Sequence, residues 1–170
     1  MILKVIGAIL IVVSCGSVGF KMAFNYREEE KNLREFIRIL DYMECELQYR
    51  STTFPELCRQ VECTFKKRLG EVFGVLALEL ESNTSPSVEI CLQAALKKCS
   101  DIPPLTLRNL TTFGGSVCRF DLDGQIKGLD AVRVECSKDL ETMEQNRDSR
   151  LRSYQTLGLC AGAALAILFV

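Results

Sequence analysis

Apolar side chains recur every three or four residues along most of the chain, the spacing of one helix face, and strand-like alternation is scarce. After Arg27 the stripe is Leu33, Phe36, Ile37, Leu40, Met43 and Leu47, with Glu28, Lys31, Glu35 and Arg38 opposite, which predicts a helix to about Tyr49. Thr53-Phe-Pro-Glu56 reads as a helix start, with Thr as N-cap, Pro in the first turn and Glu at the capping-box position. Leu57, Cys58, Val61 and Phe65 supply its buried face. Leu69, Val72, Phe73, Leu76 and Leu80 continue helically, with Gly70 and Gly74 allowing close packing.

Ser82 to Ser85 breaks the pattern, and Ser85-Pro86 restarts it. A fourth helix follows to about Cys99, with Val88, Cys91, Leu92, Ala95, Leu96 and Cys99 on one face. Asp101 to Pro104 breaks the chain again, and Leu105 to Phe113 predicts a shorter helix closed by Gly114-Gly115. The last helix is expected to begin at Asp121 or Asp123, either of which can cap it. Its stripe is Leu122, Ile126, Leu129, Val132, Cys136, Leu140 and Met143, and no strong breaker separates it from the end of the chain.

The two ends differ from this amphipathic middle. From Val5 to Phe20 no residue is charged and nine of the sixteen are Val, Ile, Leu or Phe. At mid-helix such residues favour membrane insertion by about −3 to −5 kcal/mol in all. The run Leu157 to Val170 is also uncharged, and Tyr154 stands where an interfacial anchor belongs. At fourteen residues, about 21 Å of helix, it is short for a bilayer core of about 30 Å. Gly158 and Gly162 form a G-x-x-x-G pair, a surface that lets another helix approach closely. The expected architecture is therefore all-α, a six-helix bundle over residues 26–153 between transmembrane helices at 1–25 and 154–170.

Charge sets the orientation. Lys21, Arg27, Lys31, Arg34 and Arg38 follow the first apolar run, and Lys138, Arg147, Arg150 and Arg152 precede the second. Only Lys4 and the terminal amine lie beyond, so the middle section is expected in the cytoplasm and both ends across the membrane. That section holds all 22 acidic and 19 of the 21 basic residues, for a net charge of −3. Nothing in it favours a nucleic-acid partner, and Lys66-Lys67-Arg68 reads as a solvated helix face.

Candidate chemistry is thin. There is no histidine, which removes the commonest general base and metal ligand. The nine cysteines include no C-x-x-C pair, and several occupy helical core positions, as expected of free thiols in a reducing compartment. Asp121-Leu-Asp123-Gly124 opens like a calcium loop but lacks its further ligands. No P-loop is present, so nucleotide-driven work falls to a partner. No catalytic, cofactor-binding or metal-binding residue is assigned. An alternative stays open at the N-terminus, where Val12-Val13-Ser14-Cys15 is similar to a bacterial lipobox that would place a lipid on Cys15.

Several segments in this order carry a family resemblance. They are the N-terminal run leading into Arg27, Glu44-Cys-Glu-Leu-Gln-Tyr49, Thr53-Phe-Pro-Glu-Leu57 and Phe113-Gly114. Asp121 with Gln125 and Tyr154-Gln-Thr-Leu157-Gly158 with Gly162 complete them. The chain resembles the stage III sporulation protein AB family of endospore-forming bacteria over nearly its whole length. Val117-Cys118 departs from the family's Leu-Gly before the aspartate.

The resemblance implies a cytoplasmic helical bundle similar to the F component, the platform protein of type II secretion. It also implies a scaffold in the outer forespore membrane, on the mother-cell side. There it would belong to a channel complex with the sporulation AA ATPase, the other stage III membrane proteins and membrane lipids. Arg27, Glu44, Glu46, Asp121 and Gln125 match polar positions of the family and are candidate partner-binding residues, although capping and ion pairs within the domain account for them too. Lipid-anchored and membrane-bound regulatory helical proteins are the alternatives.

Overall fold

All four prolines lie between residues 55 and 104, the stretch of short helices and of three of the chain's five turns. The two long stretches on either side contain none, so no residue there lacks the N–H a helix needs. The computed structural model describes residues 2–50, 52–82, 87–99, 102–117 and 122–169. Among them are six helices and no strand: α1 (Ile2–Arg50), α2 (Phe54–Thr64), α3 (Arg68–Glu81), α4 (Val88–Lys98), α5 (Pro104–Ser116) and α6 (Leu122–Phe169). The chain divides into two compact units, Met1–Glu30 with Glu141–Val170, and Lys31–Leu140.

The unit of residues 31–140 is the helical bundle. Helix α2 packs on α3, α3 on α4 and α4 on α5. Its core takes Leu33, Phe36, Leu40, Met43 and Leu47 from α1 and Leu57, Cys58 and Val61 from α2. Leu69, Val72, Phe73 and Leu76 of α3 join Cys91, Leu92 and Ala95 of α4, and α6 adds Leu129, Val132 and Cys136. Phe113 of α5 lies at the centre, with Phe36 at 6.1 Å and Phe73 at 5.5 Å, both edge-on, and Phe54 stacked at 6.3 Å.

Four local expectations need correction. Ile39, outside the predicted stripe, is fully buried, while Ile37 is half-buried. Thr53 is the N-cap of α2 and Pro55 lies in its first turn, but the Thr53 side chain makes no capping hydrogen bond. Helix α5 does not close at Gly114-Gly115; it runs to Ser116, with Val117 as its C-cap. Gly114 instead gives close approach, because a Cβ there would come within 2.8 Å of Leu92 Cδ2. Leu122, expected on the apolar stripe of α6, is exposed.

The other unit pairs the outer ends of α1 and α6. Tyr26 Oη donates to the Met143 carbonyl at 2.8 Å. Arg147 Nε lies 3.6 Å from Glu30 Oε2, whose side chain is 4% exposed. Ala23, Met143 and Leu151 are buried, and so are Gly19 and Gly162. The segments expected to flank the bundle as transmembrane helices form the ends of α1 and α6, and the structure does not support them as membrane spans. No helix among the described residues is long and apolar enough to cross a membrane. Most side chains of residues 1–16, and many beyond Tyr154, lie outside the described set.

Candidate partner surface

Residue 44 falls on the flank of α1, one helical turn beyond Asp41, so both carboxylates share a face. Across from them Arg133 of α6 is half-buried, and three acids converge on its guanidinium. Its Nη1 lies 3.6 Å from Asp41 Oδ1, Nε lies 3.8 Å from Glu44 Oε2, and Nη2 donates to Asp130 Oδ1 at 2.5 Å. The hydrogen bond to Asp130 raises the Arg133 pKa above its ordinary value against the opposing effect of burial, and the nearby carboxylates raise it further. The buried Nε makes no hydrogen bond. This cluster ties α1 to α6, and Glu44 is occupied by it.

The remaining sequence candidates are dispersed. Glu46 pairs with Arg50 one turn along α1 at 3.4 Å. Gln125 is half-buried near the start of α6. Arg27 is exposed and belongs to the unit of terminal segments. Asp121 lies outside the described residues. Gly162 is buried in the terminal unit, whereas the surroundings of Gly158 fall outside the described set. Asp41, Asp130 and Arg133, which organise the cluster, were not singled out by sequence. Only the Asp130–Arg133 spacing of three residues offered a signal.

Further ion pairs join neighbouring helices. Lys67 of the α2–α3 turn reaches Glu35 at 3.1 Å, Lys98 of α4 reaches Glu79 of α3 at 2.5 Å, and Arg108 of α5 pairs with Asp139 of α6. All are exposed on at least one side, and such pairs each contribute about 0–1 kcal/mol. They favour one arrangement of the bundle more than they stabilise it.

Four of the thiols are chemically quiet. Seven described cysteines are free. Burial pushes the Cys58 thiol far above its ordinary range. Burial, reinforced by Asp139 and Glu135, pushes Cys136 up to about 12. Cys91 and Cys99 are also raised, first by burial and then by Glu79 and Glu71 respectively. Protonated thiols are weak nucleophiles and poor metal ligands. Among the described residues no group of three His, Cys, Asp or Glu side chains is placed to hold a metal ion. A cleft between Asn32, Arg68, Ile102 and Thr106 offers about 10 Å³, the room of a single water.

Comparison with known proteins bears on the whole chain. Residues 4–170 match the family described as stage III sporulation protein AB. The chain is 25% identical over 171 residues to stage III sporulation protein AB of Bacillus subtilis (strain 168), covering 99% of each. It is similar to a solved structure titled stage III sporulation protein AB (SpoIIIAB), with a TM-score of 0.62 and 18% identity. That likeness covers 72% of this chain and 98% of the other, and at such identity it speaks for the fold alone.

Proposed function

Because this chain belongs to the stage III sporulation protein AB family, we propose that it serves sporulation as a non-enzymatic helical scaffold held at a membrane by its two ends. One observation carries the membrane part. In the terminal unit Val18, Phe20, Met22, Phe24, Leu157 and Ile167 are each more than half exposed. Covering a side chain of this kind is worth about 1.5–3 kcal/mol, so water is a poor solvent for such a run. The exposed apolar residues of the bundle, such as Leu78 and Ile90, stand one or two to a helix and need no such cover.

A bilayer supplies the cover. In the sequence the exposed apolar residues of the terminal unit lie in or beside the uncharged runs 5–20 and 157–170. The basic residues flanking them favour a cytoplasmic bundle. The mother-cell face of the outer forespore membrane is the proposed location. The bundle is proposed to act as a platform of the kind the type II secretion F component provides, within a channel complex of stage III sporulation membrane proteins. Interlocked helices with quiet thiols in their core suit a rigid support, and the energy for transport is assigned to the AA ATPase.

The test is purification of the full chain from sporulating cells in a mild, uncharged detergent. The scaffold role predicts that the ATPase and other stage III membrane proteins are recovered with it, and that the chain alone hydrolyses no ATP. Recovery of the chain alone with a small-molecule ligand would contradict it and favour a regulatory bundle.

A further inference from the structure

We propose that Arg152 and the groove beside it form a docking site for one anionic phospholipid. The site rests on the membrane role above and adds a specific ligand to it. A surface groove of about 800 Å³ runs along one face of α6, from Asp148 past Arg152, Ser153 and Thr156 to Leu157 and Cys160. Its lining changes character along its length, with charge at one end and apolar side chains at the other. A phospholipid changes character in the same order.

Two of the hydroxyl hydrogens between the ends, those of Ser153 and Thr156, are already engaged. Ser153 Oγ donates to the Ser149 carbonyl at 2.8 Å, and Thr156 Oγ1 donates to the Arg152 carbonyl at 2.6 Å. The Arg152 side chain, by contrast, is exposed and makes no ion pair or hydrogen bond among the described residues. Its guanidinium is the cationic donor of the groove, with Ser149 also in the lining, and its planar fork matches phosphate oxygens two at a time. The Asp148 carboxylate, one turn earlier, bounds the reach of an anion at the polar end.

The spacing also fits a bilayer. Five steps of helix lead from Arg152 to Leu157, a rise of about 7.5 Å. The headgroup layer on each side of a bilayer is about 5–7 Å thick. With Leu157 entering hydrocarbon, the guanidinium stands at the phosphate level, and Leu157 and Cys160 line an acyl chain.

The test titrates the full chain, in uncharged detergent, with dihexanoyl phosphatidylglycerol, dihexanoyl phosphatidylcholine or inorganic phosphate, and follows bound lipid by native mass spectrometry. Phosphatidylglycerol is expected to bind about fivefold more tightly than phosphatidylcholine, the ratio that ~1 kcal/mol gives. Arg152→Gln is expected to remove that preference. Arg150→Gln, which changes the same charge near Tyr26 and away from the groove, is expected to keep it. Equal binding of the two lipids, or equal loss in the two variants, would overturn the proposal. So would competition by inorganic phosphate as strong as that by phosphatidylglycerol. A chain that stays in solution without detergent would contradict membrane anchoring instead.

Discussion

Phe73 sets its ring edge-on to Phe113, with centroids 5.5 Å apart and planes at 74°. This contact joins α3 to α5, and Phe36 and Phe54 bring α1 and α2 to the same ring. One side chain on α5 thus holds four helices in register. Phe113→Ala is expected to destabilise the bundle by about 3–5 kcal/mol through lost contacts and an unfilled cavity. Phe113→Leu is expected to lose less than half of that. Urea unfolding followed by circular dichroism checks both, and a loss under 1 kcal/mol for the alanine variant would remove Phe113 from the centre of the core.

Two glycines of α3 separate backbone crowding from side-chain crowding. A Cβ on Gly70 would collide with the Phe65 carbonyl oxygen, which belongs to the turn and cannot swing away. A Cβ on Gly74 would meet only the Glu62 carboxylate, the far end of a flexible side chain. Gly70→Ala is therefore expected to destabilise by about 1–3 kcal/mol. Gly74→Ala is expected near neutral, because the better helix propensity of alanine, ~1 kcal/mol, offsets the displaced carboxylate. Thermal melting of the two variants gives the comparison, and a reversed order would contradict the packing at the α2–α3 turn.

The buried thiols give the fold an alkaline limit. Cys136 is pushed from 9.0 up to about 12, and Cys58 is also raised, so the folded state holds these protons more tightly than the unfolded chain. Their contribution to stability is complete below about pH 9 and is lost as pH rises toward 12. The urea midpoint is expected to fall between pH 9 and 11, and to fall less steeply in Cys136→Ala. A native chain treated with a thiol reagent should react at exposed Cys45 and Cys63 long before Cys58 and Cys136.

In the terminal unit Tyr26→Phe removes the 2.8 Å bond to the Met143 carbonyl, which is expected to cost about 1 kcal/mol. Glu30→Gln is expected to cost more than Arg147→Ala, because the Glu30 side chain is 4% exposed and has a further interaction besides Arg147, whose own side chain is 45% exposed. Protease susceptibility of the 141–153 segment in detergent measures the order. Equal effects would mean that the pair is as good as solvent-exposed.

Most of the bundle was legible because its helices are amphipathic and three of its five breaks carry Pro, Ser or Asn; the α2–α3 turn at Phe65-Lys66-Lys67 carries none, and the apolar spacing runs on across it. All six helical segments follow from the 3-4 spacing, and Leu129, Val132 and Cys136 were readable as core from their own positions. The choice between Ile37 and Ile39 was not. Both flank the same stripe, and the side on which a second helix packs decides which is covered. Gly114 was misread for a related reason, since a glycine inside a helix and one that ends it look alike until Leu92 is seen against it. The Arg133 cluster was invisible because Asp41, Glu44 and Arg133 meet only through the crossing of α1 and α6. Of the five polar candidates, Glu44 and Glu46 turned out to hold ion pairs within the bundle.

Topology mapping tests membrane anchoring most directly. Reporter fusions at residue 90 and at the C-terminus, each read by a cytoplasmic and an exported reporter enzyme in sporulating cells, place both regions relative to the bilayer. A cytoplasmic signal at residue 90 with an exported signal at the end is expected. Cytoplasmic signals at both positions, from a chain that alkaline carbonate strips off membranes, would mean that the exposed apolar ends of α1 and α6 are covered by protein rather than lipid.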